Sequence, residues 1–161
     1  MRKPRHLHSD RDRIFTPENV AIKLIGKIPA DNNDSWCDPC FGDGVFYNNF
    51  PAKNKEYYEI DMGKDYLHCN KIYDWNVTNI PFSKPKEFIF KMAHCSKKGF
   101  GILCLANSMT ATRLTQLELL QFHIHSMTIL YIKEWGFGYR TDFYVFIRKP
   151  DNEKFTIIIH P

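Results

Sequence analysis

Residues Gly101-Ile102-Leu103-Cys104-Leu105-Ala106 form an unbroken apolar run in a chain whose mean hydropathy is only −0.41. A strand with one face in water alternates polar and apolar side chains. A run without alternation must be covered on both faces, as in a mainly parallel sheet with helices on each side. The rest of the chain supplies that cover. Thr16-Pro17-Glu18 opens a segment with a capping residue and a proline at the first helical position, and Val20, Ala21, Leu24, Ile25 and Ile28 fall on one face of the helix this predicts. Residues 35–37, 56–60 and 74–78 read as strands, and 86–97 and 110–122 as helices. Residues 128–135 and 142–147, separated by Gly136-Phe137-Gly138, predict a closing antiparallel hairpin. The alternation predicts an α/β fold, a doubly wound, mainly parallel sheet with that hairpin at its C-terminal end. Residues 155–160 are apolar enough to add an edge strand or to pack against a neighbour.

At 161 residues with 43% hydrophobic and 15% aromatic side chains, the chain suits one domain over residues 13–161. Residues 1–12 are set apart by charge. Arg2, Lys3, Arg5, Arg11 and Arg13 face only Asp10 and Asp12, a basic arm that either lies along phosphates or remains a solvated tail. The net charge of +4 permits a polyanionic partner without requiring one. No apolar run approaches the roughly 18 residues of a membrane helix, and the start lacks the apolar centre of a signal peptide. Five cysteines make no even framework, which agrees with a reducing compartment, so a cytoplasmic protein with no membrane partner is expected. Scarce alanine beside abundant Lys, Asn, Ile, Phe and Tyr suggests an AT-rich genome such as that of a virus or phage.

In a doubly wound sheet, ligands collect at the carboxyl ends of the strands where the chain order reverses. Asp38-Pro39-Cys40-Phe41-Gly42-Asp43-Gly44 takes the place of the loop after the first strand. Gly42 and Gly44 let the backbone approach a ligand or make a tight turn, and Asp38 accepts from a ligand's amino group or orders the loop. The spacing is not Gly-x-Gly-x-x-Gly, and no P-loop lysine is present. Glu59 ends the second predicted strand, where an acidic residue can hold two ribose hydroxyls. Asp65 either caps an adenine ring or serves a turn. Thr78-Asn79-Ile80-Pro81-Phe82-Ser83 follows the third strand, and a side-chain amide, a proline-stiffened turn and an aromatic ring in that order suit an amino group on a flat base.

Other patterns carry less. Cys37-x-x-Cys40 has no second pair and overlaps the glycine loop, so no metal site is expected. The histidines are scattered. Phe137, Tyr139 and Arg140 offer aromatic rings and a cation to a flipped base or a phosphate, or form a hairpin turn with a packed ring.

Phe-Thr-Pro before a helix, Asp-Pro-x-x-Gly-x-Gly, Glu-Ile-Asp and Asp-x-x-x-Thr-Asn-x-Pro-Phe-Ser, in that order from about Phe15 to Pro150, resemble the S-adenosylmethionine-dependent adenine-specific (N6-adenine) DNA methyltransferases, especially small phage and viral members. The resemblance implies a Rossmann-like class I methyltransferase fold. It implies S-adenosylmethionine near Phe15, Thr16, Pro17, Asp38, Gly42, Gly44, Glu59 and Asp65, and a catalytic loop of Asn79, Ile80, Pro81 and Phe82. The residue types suit that chemistry. An aromatic amine is a poor nucleophile because its lone pair is shared with the ring, and acceptors at the Asn79 side-chain oxygen and the Ile80 carbonyl would draw its nitrogen toward a tetrahedral geometry. Phe82 would stack on a base taken out of its helix. The family usually has proline where this chain has Ile80, so the carbonyl is kept and one source of loop stiffness is not; a rise in rate in Ile80→Pro would show that loop stiffness had been lost.

DNA is the expected partner, with Arg11, Arg13, Phe137, Tyr139 and Arg140 toward it. A homodimer or a second subunit would supply target recognition. The same loop type also serves RNA bases and a protein glutamine amide, and a catalytically silent module that binds S-adenosylmethionine or nucleic acid stands beside these enzyme readings.

Overall fold

A computed structural model describes residues 12–136, 138 and 140–150. Its helices are α1 (Glu18–Ile25), α2 (Val45–Asn49), α3 (Pro85–His94) and α4 (Ala111–Leu119). Its strands are β1 (Trp36–Asp38), β2 (Lys55–Tyr57), β3 (Tyr73–Asn79), β4 (Ser96–Leu105), β5 (Phe122–Leu130) and β6 (Thr141–Arg148). They form one sheet in the order β2-β1-β3-β4-β6-β5, in which β6 runs antiparallel to both β4 and β5 and the other pairings are parallel.

The apolar run lies in β4 and is covered on both faces, as its lack of alternation requires. Phe100, Ile102 and Cys104 join the core that holds Ile89 and Met92 of α3 and Leu117 of α4. Leu103 joins a second core with Leu24 of α1, Phe46 of α2, Trp75 and Phe143. Gly101 fits where no side chain would, since a Cβ there would come within 2.8 Å of both Ile28 and Phe143.

The chain runs from β1 to β2 on one side and to β3 on the other. The carboxyl ends of β1 and β3 therefore frame the crevice at which such sheets bind ligands. Among the described residues no helix is long and apolar enough to cross a membrane.

Several boundaries depart from the sequence reading. Pro17, not Thr16, is the cap of α1, with no side-chain cap bond. The third helix stops at His94, because β4 begins at Ser96. The fourth stops at Leu119, and Gln121, at φ 67°, turns the chain into β5. Strand β5 therefore starts at residue 122 and not 128, and residues 133–135 form a 3₁₀ turn outside it. Its outward face carries Met127 and Ile129 and its inward face Ser126 and Thr128, so polarity does not follow the alternation of exposure that would mark a half-buried strand. Helix α2, five residues long, carried no periodic signal. Arg11, Phe137, Tyr139 and residues 155–160 lie outside the described residues.

Candidate active site

The glycine loop is built around Asp38. Its carboxylate is fully buried, accepting from Thr78 Oγ1 at 2.7 Å and Cys40 N at 3.1 Å on one oxygen and from Tyr47 N at 3.2 Å on the other. Burial pushes its carboxyl up to about 7, against the pull of those three bonds and with some help from the charge of Glu59. Of its two sequence-level roles, the contacts are those of loop ordering. Gly44 caps α2 at φ 83°, and a Cβ there would lie 2.6 Å from the Phe41 ring. Both the left-handed backbone and the close ring demand glycine.

Gly42, at φ 55°, donates its N–H to Glu59 Oε2 at 2.9 Å, and the other Glu59 oxygen accepts from Asp61 N at 3.3 Å. Glu59 thus ties the loop after β1 to the chain leaving β2 and still has unused lone pairs on both oxygens. Asp65 caps the next turn through Leu67 N at 2.9 Å and sits 3.0 Å from His68 Nδ1.

Phe15, Thr16, Gly42, Glu59, Asp65 and Asn79 line one cavity of about 340 Å³, as do Arg13 and Pro81. That volume is within the usual range for small-molecule sites. Pro17, Asp38, Gly44, Ile80 and Phe82, also expected at the site, are not part of that lining. On the wall, Thr16 is buried and its hydroxyl has no hydrogen-bond partner among the described residues. Asn79 has one end of its amide committed, Nδ2 donating to the Ile14 carbonyl at 2.9 Å. Its Oδ1 is buried without a partner among the described residues.

Ile80 holds the loop in a way proline cannot. Its N–H donates to the Leu103 carbonyl at 3.2 Å, continuing the β3–β4 ladder past Asn79, while its side chain is 2% exposed in the core. That backbone bond stiffens the loop and needs a non-proline residue. Phe82 lies edge-on to Trp135 with ring centroids 6.0 Å apart, and Trp135 Nε1–H donates to the Phe15 carbonyl at 2.8 Å. The loop is also fastened through Ser83, whose N–H and hydroxyl donate to the two carboxylate oxygens of Asp12 at 3.0 and 2.6 Å. The sequence reading missed both Trp135 and Asp12. Trp135 borders the Gly136 turn that it did single out, whereas Asp12 was read only as a charge in the arm.

Both basic candidates that the structure describes are paired: Arg13 with Asp61 at 3.2 Å and Arg140 with the buried Asp142 at 2.9 Å. Among the described residues no group of three or more His, Cys, Asp or Glu side chains is arranged to hold a metal.

No protein-family model and no curated protein matches this chain. Solved structures do. PH1948 of Pyrococcus horikoshii, provisionally named an RNA methyltransferase, superposes with a TM-score of 0.64 at 20% identity, over 83% of this chain and 85% of that one. The M protein of the type I restriction enzyme EcoKI gives 0.69 at 14% identity, over 85% of this chain but only 44% of its own. Magnesium protoporphyrin IX methyltransferase of Synechocystis PCC 6803, solved with bound S-adenosylmethionine, gives 0.60 at 10% identity, over 82% of this chain and 79% of that one. The fold is the Rossmann-like class I methyltransferase fold. At these identities the likeness extends to the fold alone, and the molecules those proteins are named for are too diverse to choose an acceptor.

Proposed function

We propose that this chain is an S-adenosylmethionine-dependent methyltransferase that modifies the exocyclic N6 amino group of adenine in DNA. The observation that carries the reading is Asn79 Oδ1, a carbonyl oxygen buried without a donor among the described residues at the carboxyl end of β3, with its amide orientation set by Ile14. A buried acceptor left unpaired costs about 1–3 kcal/mol, a cost that an incoming amino group would remove.

The cavity residues fit S-adenosylmethionine. Thr16 offers an unpaired hydroxyl, Gly42 a backbone without a Cβ, Glu59 spare lone pairs for ribose hydroxyls, and Phe15, Met62 and Leu67 apolar wall. Bound there, S-adenosylmethionine would supply an electrophilic methyl carbon. Asn79 Oδ1 and the Ile80 carbonyl accept the amino hydrogens and raise the nucleophilicity of the nitrogen, and Phe82 flanks the base. The reaction needs alignment more than a strong base, so a site without a catalytic triad suffices.

Transfer of a labelled methyl group from S-adenosylmethionine to single-stranded DNA, duplex DNA and RNA tests the reading. Label in DNA adenine is the expected result. Preferential label in RNA would replace the acceptor, and cofactor binding without transfer to any of the three would leave a silent binding module.

A further inference from the structure

We propose that residues 155–160, Phe-Thr-Ile-Ile-Ile-His, add a seventh strand to the open edge of β5 and run parallel to it. Residues 151–161 lie outside the described residues. Strand β5 is the last in the sheet order, and among the described residues only β6 pairs with it. An open edge presents unpaired N–H and C=O groups, and proteins usually blunt it with charge, proline or a short strand. This edge, Phe122–Leu130, is 9 residues long and holds no Asp, Glu, Lys, Arg or Pro. Its one blunting device is the register shift between Ile124 and Ser126, beyond which the pairing with β6 is regular to Leu130. Over that regular half, Met127 and Ile129 are 47% and 57% exposed.

The path of the chain chooses the occupant. Arg148, the last residue of β6, stands opposite Phe122, the first of β5, and the Lys149 N–H donates to the Gln121 carbonyl at 2.7 Å. Strand β6 already has β4 and β5 on its two sides, so the edge beyond β5 is the open one nearest to this exit. A place outside β5 and beside Met127 lies about 10 Å across the sheet from Arg148 and about 17 Å along it. The chain from Arg148 to Phe155 spans up to about 24 Å. Phe155 therefore reaches Met127 but not the far end of β5, and from there only a parallel run covers Ile129 as well. Asp151-Asn152-Glu153-Lys154 is polar and suits the turn around the end of β5, and the uncharged, β-branched 155–160 suits a strand. Closing the edge would also steady the β5–β6 hairpin, whose connection carries Trp135 beside Phe82. The inference stands apart from the functional reading above, whatever the methyl acceptor.

Amide hydrogen exchange and amide NOEs, read by NMR on the full chain, test the seventh strand in wild type and in a double variant carrying Ile157→Lys and Ile159→Lys. In wild type, successive amides from Ser126 to Leu130 should all be protected, since those pointing to β6 and those pointing outward each have an acceptor. NOEs should join residues 155–160 to residues 127–130. In the double variant, every second amide of that stretch should exchange at least about tenfold faster. The amides facing β6 should keep their protection, which shows in the same sample that the sheet still folds. Outward amides that exchange freely in wild type, or that stay protected in the double variant, overturn the inference. Protection that fades on dilution overturns it by giving the edge to a second copy of the chain. NOEs from residues 155–160 to Phe90 and Leu119 overturn it by placing the segment in the groove between α3 and α4.

Discussion

Asn79 donates from Nδ2 to the Ile14 carbonyl, and that one bond decides which way its side-chain amide points. With the nitrogen held, the oxygen is the end left buried on the cavity wall and unpaired among the described residues. Because the partner lies 65 positions away, the orientation is a product of the tertiary fold and not of the loop's own turn.

Thr16 supplies a test that separates ligand binding from stability. Its buried hydroxyl has no partner among the described residues, so Thr16→Val, nearly isosteric, should leave the free protein as stable or more stable, by up to about 1 kcal/mol. The same change should weaken S-adenosylmethionine by about tenfold if the hydroxyl serves the ligand. Urea unfolding and calorimetry read the two effects separately.

Ile80→Pro should not raise the rate. It deletes the bond to Leu103 and removes a side chain packed in the core, so unfolding free energy should fall by about 2 kcal/mol or more. Methyl transfer should fall with it. Faster transfer by the proline variant would show that ring stiffness outweighs the backbone bond.

The glycines of the site offer an internal comparison. Gly44→Ala meets a left-handed backbone and the Phe41 ring at 2.6 Å, whereas Gly63→Ala meets only the backbone term, with nothing within 4 Å. The second should cost roughly 1–2 kcal/mol and the first distinctly more, with loss of cofactor affinity. Equal losses would show that the Phe41 contact relaxes freely.

Asp38 sets a pH dependence. Its carboxyl is raised from 3.8 to about 7, so between those values the folded chain holds a proton that the unfolded chain has released. The Asp38 contribution to stability is therefore fully present below the lower value and is lost as pH rises toward the upper. Asp38→Asn should flatten that slope. It should also lower stability throughout, since an amide nitrogen would face the Tyr47 N–H donor. Urea unfolding across the window checks the slope, and an unchanged slope would assign the titration elsewhere.

The sheet was legible in the sequence wherever burial leaves a pattern. The apolar run of β4 and the one-sided face of α1 are direct consequences of which sides are covered. Strand β5 was misplaced because an edge strand with one open face and a register shift has no clear period. Glu59, Gly42 and Asn79 could be named because each stands at or shortly after the carboxyl end of a strand. Asp12, Trp135 and the Ile80–Leu103 bond could not, since each depends on which distant backbone atom the fold brings near.

The most direct measurement is the rate at which labelled methyl groups appear in N6-methyladenine, after digestion of treated single-stranded DNA to nucleosides, for wild type and Asn79→Ala. Wild type should place the label there. Asn79→Ala should be slower by at least about 100-fold while still binding S-adenosylhomocysteine. Equal rates for the two proteins, or wild-type label only in another nucleoside, would contradict the assignment of Asn79 Oδ1 as the acceptor for the adenine amino group.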